Sequence, residues 1–403
     1  MDYTLLKDDA SDKEIEISVP RSELAELIEN ETEKLSKEIQ IDGFRKGRVP
    51  RTLIMNRYMD TLKAQAMDQL VKRAYLALLK DKSWQPASQA ELLNIEEADT
   101  IKLRLHVEII PEFNVDNYLN IEVYKERPLS DEFLLEQGIN ALREQHAVIR
   151  EVDRPAVVDD LVTADIEIKE GAQSSKETDQ IIRVGDRSLP DELNRSLVGA
   201  KKKQNVEVKT GDKTYMLLVK KIEERNLPQI DTDFAKKMNL DSVENLKKKL
   251  LESMKQHEEK RIEEGLKESI SKVLLERIRF EVPKTLIQNE YAKILKEYNL
   301  PDSDSNKERF WAVAGNRIRL NLILDKIIRK ENLQVAESEI IDLVTKLGMK
   351  LTDHNRGDVI DYLGGMLNRE KAMDFLYKNA KISEKSRILT PKEVANDPHS
   401  LRH

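Results

Sequence analysis

From Ile101 to Ile109 every second residue is Ile, Leu or Val, and the residues between them, Lys102, Arg104, His106 and Glu108, are all polar. Successive side chains of a strand point to opposite faces, so this stretch reads as a strand with one dry and one wet side. Strands of that kind belong to antiparallel sheets whose dry face is covered, here by helices. His106, on the wet face, reads as a surface histidine. Ile15, Ile17 and Val19 repeat the alternation, and Pro20 then stops pairing and opens a helix. In that helix Leu24, Leu27, Ile28, Leu35 and Ile39 fall on one stripe. A second helical stretch is predicted over 50–82, with Leu62, Ala66, Leu70, Ala74 and Leu78 nearly in line, and Pro86 breaks it.

Further along, 130–149 reads as a helix that gives way near Arg154-Pro155. The texture then changes to short β-rich runs at 162–168, 181–184, 206–208 and 216–222, separated by turns with Gly171, Gly185, Gly199 and Gly211. A small separate domain closing near Pro228 is the expectation. From Asp231 onward the pattern is helical. Ile262, Leu266, Ile270 and Leu274 recur every four residues in a helix predicted over 246–278, and Pro283 begins the next. The last helical signal lies at 372–381, and the polar tail from Ser383 carries Pro391 and Pro398.

A chain of 403 residues with 35% charged and 39% hydrophobic residues, only 5% aromatic, suits several domains rich in amphipathic helices with solvated faces. The formal charge of −7 excludes a protein coated throughout with cations for nucleic acid, so contact with an anionic surface must come from a local patch. The chain has no cysteine, which excludes thiol chemistry and fits a reducing cytosol. It has neither a basic, apolar leader nor a long apolar run, and a cytoplasmic location without a membrane partner is expected. The six histidines form no pair at helical spacing, and Walker-type and Gly-x-Gly-x-x-Gly loops are missing, so no metal, nucleotide or other cofactor is expected.

The densest local signal is Gly43-Phe44-Arg45-Lys46-Gly47-Arg48-Val49-Pro50-Arg51. Two glycines permit a tight protruding loop, and Pro50 sits where a helix begins. The tip offers one ring and four cations, a composition suited to docking on RNA phosphates and acidic side chains. On chemistry alone a solvated basic turn is the competing reading.

This stretch resembles the ribosome-docking signature of trigger factors, Gly-Phe-Arg-x-Gly-x-x-Pro. Two further stretches carry the same resemblance in the same order. Leu142-Arg143-Glu144-Gln145, Val152-Asp153-Arg154-Pro155-Ala156 and Asp160-Leu161-Val162 are similar to the family's junction into its prolyl isomerase domain. Phe280-Glu281-Val282-Pro283 with Leu286-Ile287 and Glu290 is similar to a helical junction of its C-terminal domain. The resemblance implies a multidomain α+β protein in an elongated arrangement. Its parts would be an N-terminal ribosome-binding domain (1–112), a linker and helical arm (113–150), a shortened β-rich FKBP-like domain (151–228), an all-α chaperone domain (229–382) and a polar tail (383–403). It further implies an ATP-independent chaperone that meets nascent polypeptides at the ribosomal exit. Gly43, Phe44, Arg45, Lys46, Gly47, Arg48 and Pro50 would face a large-subunit protein beside the tunnel and adjacent rRNA. A homodimer away from the ribosome is left open.

The middle segment departs from the family pattern. An FKBP-like isomerase walls its proline with apolar and aromatic side chains to favour a twisted amide, against an uncatalysed barrier of about 18–20 kcal/mol. Between Glu151 and Pro228 the single aromatic is Tyr215. Asp165-Ile166 and Leu189-Pro190-Asp191-Glu192-Leu193 stand where the family has Asp-Phe and Ile-Pro-Gly-Phe-Glu. No catalytic residue is assigned, and isomerase activity is expected to be weak or lost; the alternative is an active peptidyl-prolyl cis–trans isomerase working on nascent chains. For client binding the candidates are Ile318 and Leu322, which lie across the 316–330 helix from the stripe Leu320, Ile323, Leu324 and Ile327, together with the adaptable Met349, Met366 and Met373. Plain core filling is the competing reading for each.

Overall fold

The computed structural model describes residues 2–386 except 43, 171–172, 187–188 and 353–354. Gly43, Gly171 and the tail beyond Ser386 therefore lie outside the described residues. In chain order the elements are β1 (Asp2–Asp8), β2 (Asp12–Pro20), α1 (Arg21–Glu38), α2 (Arg51–Lys82), β3 (Gln85–Pro86), β4 (Glu91–Glu97), β5 (Thr100–Ile110) and β6 (Glu122–Glu126). There follow α3 (Asp131–Gln145), β7 (Val148–Glu151), β8 (Leu161–Glu170), β9 (Gln173–Arg183), α4 (Asp191–Leu197), β10 (Asn205–Thr210) and β11 (Lys213–Asn226). The remainder is α5 (Thr232–Lys237), α6 (Val243–Arg277), α7 (Lys284–Glu297), α8 (Asp304–Glu331), α9 (Glu337–Lys346), α10 (Arg356–Lys378) and β12 (Lys381–Lys385). The mixed α+β architecture with a helical C-terminal region is the one expected from the sequence.

By internal packing the chain divides into two units, Met1–Tyr124 with Gly265–Ser383, and Lys125–Glu264 with the last described residues from Glu384; the division falls inside α6. In the first unit, antiparallel β2 and β5 pair Ile15 with Leu105, Ile17 with Leu103 and Val19 with Ile101. Every one of these side chains is buried, which fixes the register, because a slip by one residue would turn the whole set to water. The dry face is covered by Leu24 and Leu27 of α1 and by Ala66, Leu70, Ala74 and Leu78 of α2. On the wet face charges pair across the strands, Lys102 with Glu16 at 3.0 Å and His106 with Asp12 at 2.7 Å. His106 is thus half-buried between carboxylates rather than free in solvent.

Elsewhere in this unit α7 and α8 pack through Tyr291, Ile294, Leu295 and Ala314, and α9 and α10 through Ile340, Val344 and Leu363. Helix α8 is capped by Ser303, whose hydroxyl accepts from Asn306 N–H at 3.3 Å. The Glu108 carboxylate of β5 accepts the Thr285 N–H at 2.9 Å and satisfies one of the orphan donors at the start of α7. Tyr118 donates its hydroxyl to Glu331 of α8; burial first, and then that carboxylate, push the phenol up to about 12.

The second unit has its own core. Strands β8, β9, β10 and β11 form an antiparallel sheet in the order β10-β11-β8-β9, and α4 closes it with Leu193 and Leu197. The helix expected to continue to Ile149 ends at Gln145. Val148–Glu151 is instead a strand that pairs with β11, Ile149 opposite Arg225. Two successive β-branched residues and an available strand edge outweigh the helical spacing there. Similarly, the last helix stops at Lys378 and the chain re-extends as β12, which pairs with β6.

Candidate functional site

The glycine-flanked stretch forms the connection between α1 and α2, and a small separate core fixes it. Ile41 and Val49, one on each side of the tip, are buried with Ile54 and Leu62 of α2, and Leu35, Ile39 and Tyr58 pack around them. Two turns shape the tip: Phe44 N–H donates to Ile41 O at 3.0 Å, and Arg48 N–H to Arg45 O at 2.9 Å. Pro50 precedes the first turn of α2 with φ −58 and ψ 135, and its carbonyl accepts from Leu53 and Ile54.

Between the two apolar posts the side chains point outward. Phe44 is 40% exposed, high for a phenyl ring, and Arg45, Lys46 and Arg48 are exposed. Among the described residues these three cations form no ion pair, whereas Arg51 faces Glu29 at 3.4 Å. A ring and three unneutralised cations on a pinned loop can grip a surface that offers a small apolar hollow beside phosphates or carboxylates. Gly47 has φ +79, in the left-handed region, with open space around a would-be Cβ. Gly47→Val should therefore cost about 1–2 kcal/mol through the backbone alone. The expected result is faster amide exchange at Arg48, whose hydrogen bond closes the turn, with exchange in β5 unchanged.

The other candidates are dispersed. Ile318 and Leu322 are both half-buried on α8, neither core nor free surface, while Ile323, Leu324 and Ile327 are buried. Met349 and Met366 are 44% and 42% exposed at the α9–α10 end, with Leu347 and Tyr362 also exposed there; Met373 is half-buried in α10. Sequence periodicity did not single out Leu347 or Tyr362. Among the described residues no cluster of His, Cys, Asp or Glu is placed to hold a metal ion, and no helix is long and apolar enough to cross a membrane.

In the small β domain Tyr215 stands on β11, opposite Ile168 of β8 and Val208 of β10, and is half-buried against the core with Ile166 and Leu189. The wall there is aliphatic apart from this one ring. Two residues of the junction motif meet nearby. Arg154 Nη1 and Nη2 donate to the two oxygens of Asp160 at 2.6 and 3.1 Å, and Asp160 also accepts the Val157 N–H at 2.9 Å. That carboxylate is 2% exposed, so the pair locks the strand-to-loop corner that begins the domain.

An α+β layer presenting a cationic loop, a small β domain and a series of long helices make up a modular protein assembled around discontinuous units. A family model described as bacterial trigger factor protein matches residues 1–164, and one described as bacterial trigger factor protein C-terminus matches 242–385. Proteins named trigger factor are similar over nearly the whole length. That of Francisella tularensis subsp. novicida is 26% identical over 431 residues, covering 96% of each chain. That of Caldicellulosiruptor saccharolyticus is 26% identical over 428 residues, covering 95% of this chain and 97% of the relative. A solved chain from work on substrate recognition by the trigger factor chaperone is 21% identical with a TM-score of 0.46, covering 94% of this chain and 99% of that one. The chain belongs to the bacterial trigger factor family.

Proposed function

We propose that this protein is an ATP-independent chaperone of the cytoplasm that docks on the ribosome through the α1–α2 loop and shields nascent polypeptides. The observation that carries the reading is the loop itself, with an exposed ring and three cations that form no ion pair among the described residues, held on a dedicated apolar footing. Phe44, Arg45 and Lys46 are the contacts to a large-subunit protein near the tunnel exit and to neighbouring rRNA. Gly47, Arg48 and Pro50 shape and extend the tip, and Gly43 belongs to the same docking stretch. Exposed Met349 and Met366, together with half-buried Ile318, Leu322 and Met373, offer clients adaptable apolar contacts that are dispersed enough to limit self-association.

Co-sedimentation with ribosomes tests the docking. Replacing Phe44, Arg45 and Lys46 by alanine should weaken pelleting at least about tenfold, since one buried ring and two charge-assisted contacts together outweigh 1.4 kcal/mol. Raising salt should weaken the parent protein in the same direction. Equal pelleting of the two proteins would refute the assignment.

The β domain, on this reading, keeps its fold as a spacer or auxiliary contact surface and has little isomerase activity, because one half-buried tyrosine cannot wall a proline. In a proline-limited refolding assay the full chain should accelerate the slow phase little above the spontaneous rate. Acceleration matching an ordinary FKBP would favour the active isomerase instead.

A further inference from the structure

Within the first unit, the turn that closes α2, the segment following β5 and the C-terminal half of α8 enclose a cleft of about 750 Å3. That is the size of a ligand site rather than a packing defect. Trp84 and Phe113 give it two half-buried rings. Phe113 is held rigidly, stacked on Phe280 with centroids 3.9 Å apart, and Lys326 Nζ lies 4.6 Å from the centre of its ring.

The charge of the lining is unbalanced. Of its carboxylates, Asp325 is engaged by Arg369 at 2.9 Å and Asp116 lies 3.9 Å from Lys330, which leaves Glu112. Against it stand Lys82, Lys326 and Arg329, none of which forms an ion pair among the described residues; Lys326 donates to the Phe113 carbonyl, and Lys82 Nζ lies 4.7 Å from the centre of the Tyr3 ring. A chain of formal charge −7 thus concentrates cations in excess of carboxylates beside aromatic rings in a recess where water screens them less.

We propose that this cleft binds an acidic segment of an unfolded polypeptide, its carboxylates on Lys82 and Arg329, with Lys326 adding to the positive potential, and an apolar side chain against Trp84. The inference rests on the chaperone reading above and names a client chemistry for it. The lining favours a polypeptide over a nucleic acid. Glu112 and Asp116 oppose a backbone that carries a charge on every unit, yet both can accept peptide N–H groups.

The test uses the full-length protein and fluorescence anisotropy with three labelled probes: a short peptide of Asp, Glu, Phe and Leu, the same peptide with Asn and Gln for the acids, and a single-stranded oligouridine. The acidic peptide should bind about tenfold more tightly than its amide counterpart, an advantage that fades as salt rises. The K82Q/R329Q double variant, with an unchanged melting curve, should lose that advantage and keep the affinity for the amide peptide. Equal affinity for the two peptides, an acid preference that survives in the variant, or oligouridine binding that the variant abolishes would each overturn the cleft assignment. Binding of both peptides without preference leaves the chaperone reading standing, whereas binding of neither counts against both.

Discussion

Leu70→Ala should lower the stability of the N-terminal sheet-and-helix layer by about 2–5 kcal/mol. Leu70 is fully buried at the centre of the α2 stripe, and its neighbours one turn away on either side are Ala66 and Ala74. Neither alanine has atoms to move into the space left behind, and the β strands opposite are fixed in register, so the cavity should stay open and the loss fall in the upper half of that range. Trp84 packs against the same core, and the chain has only one other tryptophan, Trp311. Urea unfolding followed by Trp84 emission in a Trp311→Phe background reads this layer selectively. Leu76→Ala, on the exposed face of the same helix, should shift the transition by no more than about 0.5 kcal/mol. Similar shifts for the two variants would mean that α2 is not the lid of this core.

Asp160→Ala should destabilise the β domain by about 3 kcal/mol, the low end for a broken buried ion pair. The magnitude follows from two losses. The Val157 N–H is left without its acceptor, and Arg154 loses a bidentate partner. The loss is limited because Arg154 keeps Glu224 at 3.1 Å and a third of its side chain in water. Asp160→Asn, which retains one acceptor oxygen for Val157, should lose roughly half as much. Chemical denaturation monitored through the Tyr215 environment would decide it, and equal losses for Ala and Asn would mean that the charge, not the hydrogen bond to Val157, carries the effect.

What could be read in the sequence was whatever a short window determines. The alternation from Ile101 to Ile109 has one dry face, so the period alone fixed strand, face and partner type. The α2 stripe and the proline starts of α1, α2 and α7 were legible for the same reason. The end of α3 was not, since Val148 and Ile149 lie at helical spacing from the preceding apolar residues and only the distant edge of β11 turns them into a strand. Partial burial of Leu322 likewise depends on residues far along the chain, those that line the cleft with it.

The candidate loop divides along the same line. Its glycines, proline, ring and cations are local and visible in nine consecutive letters. The footing of Ile41, Val49, Ile54 and Leu62 is not, because it needs the two helices folded back on each other. The cleft is further from reach, bringing Trp84 and Phe113 to Lys326 across more than two hundred residues of chain.

That the loop rests on an apolar cluster distinct from the one beneath the sheet carries a consequence for how this end of the protein comes apart. Two cooperative units of unequal size open at different free energies, the smaller first. The tip should therefore melt and re-form within the lifetime of the intact sheet, so that, under the proposed docking, release need not await any larger rearrangement.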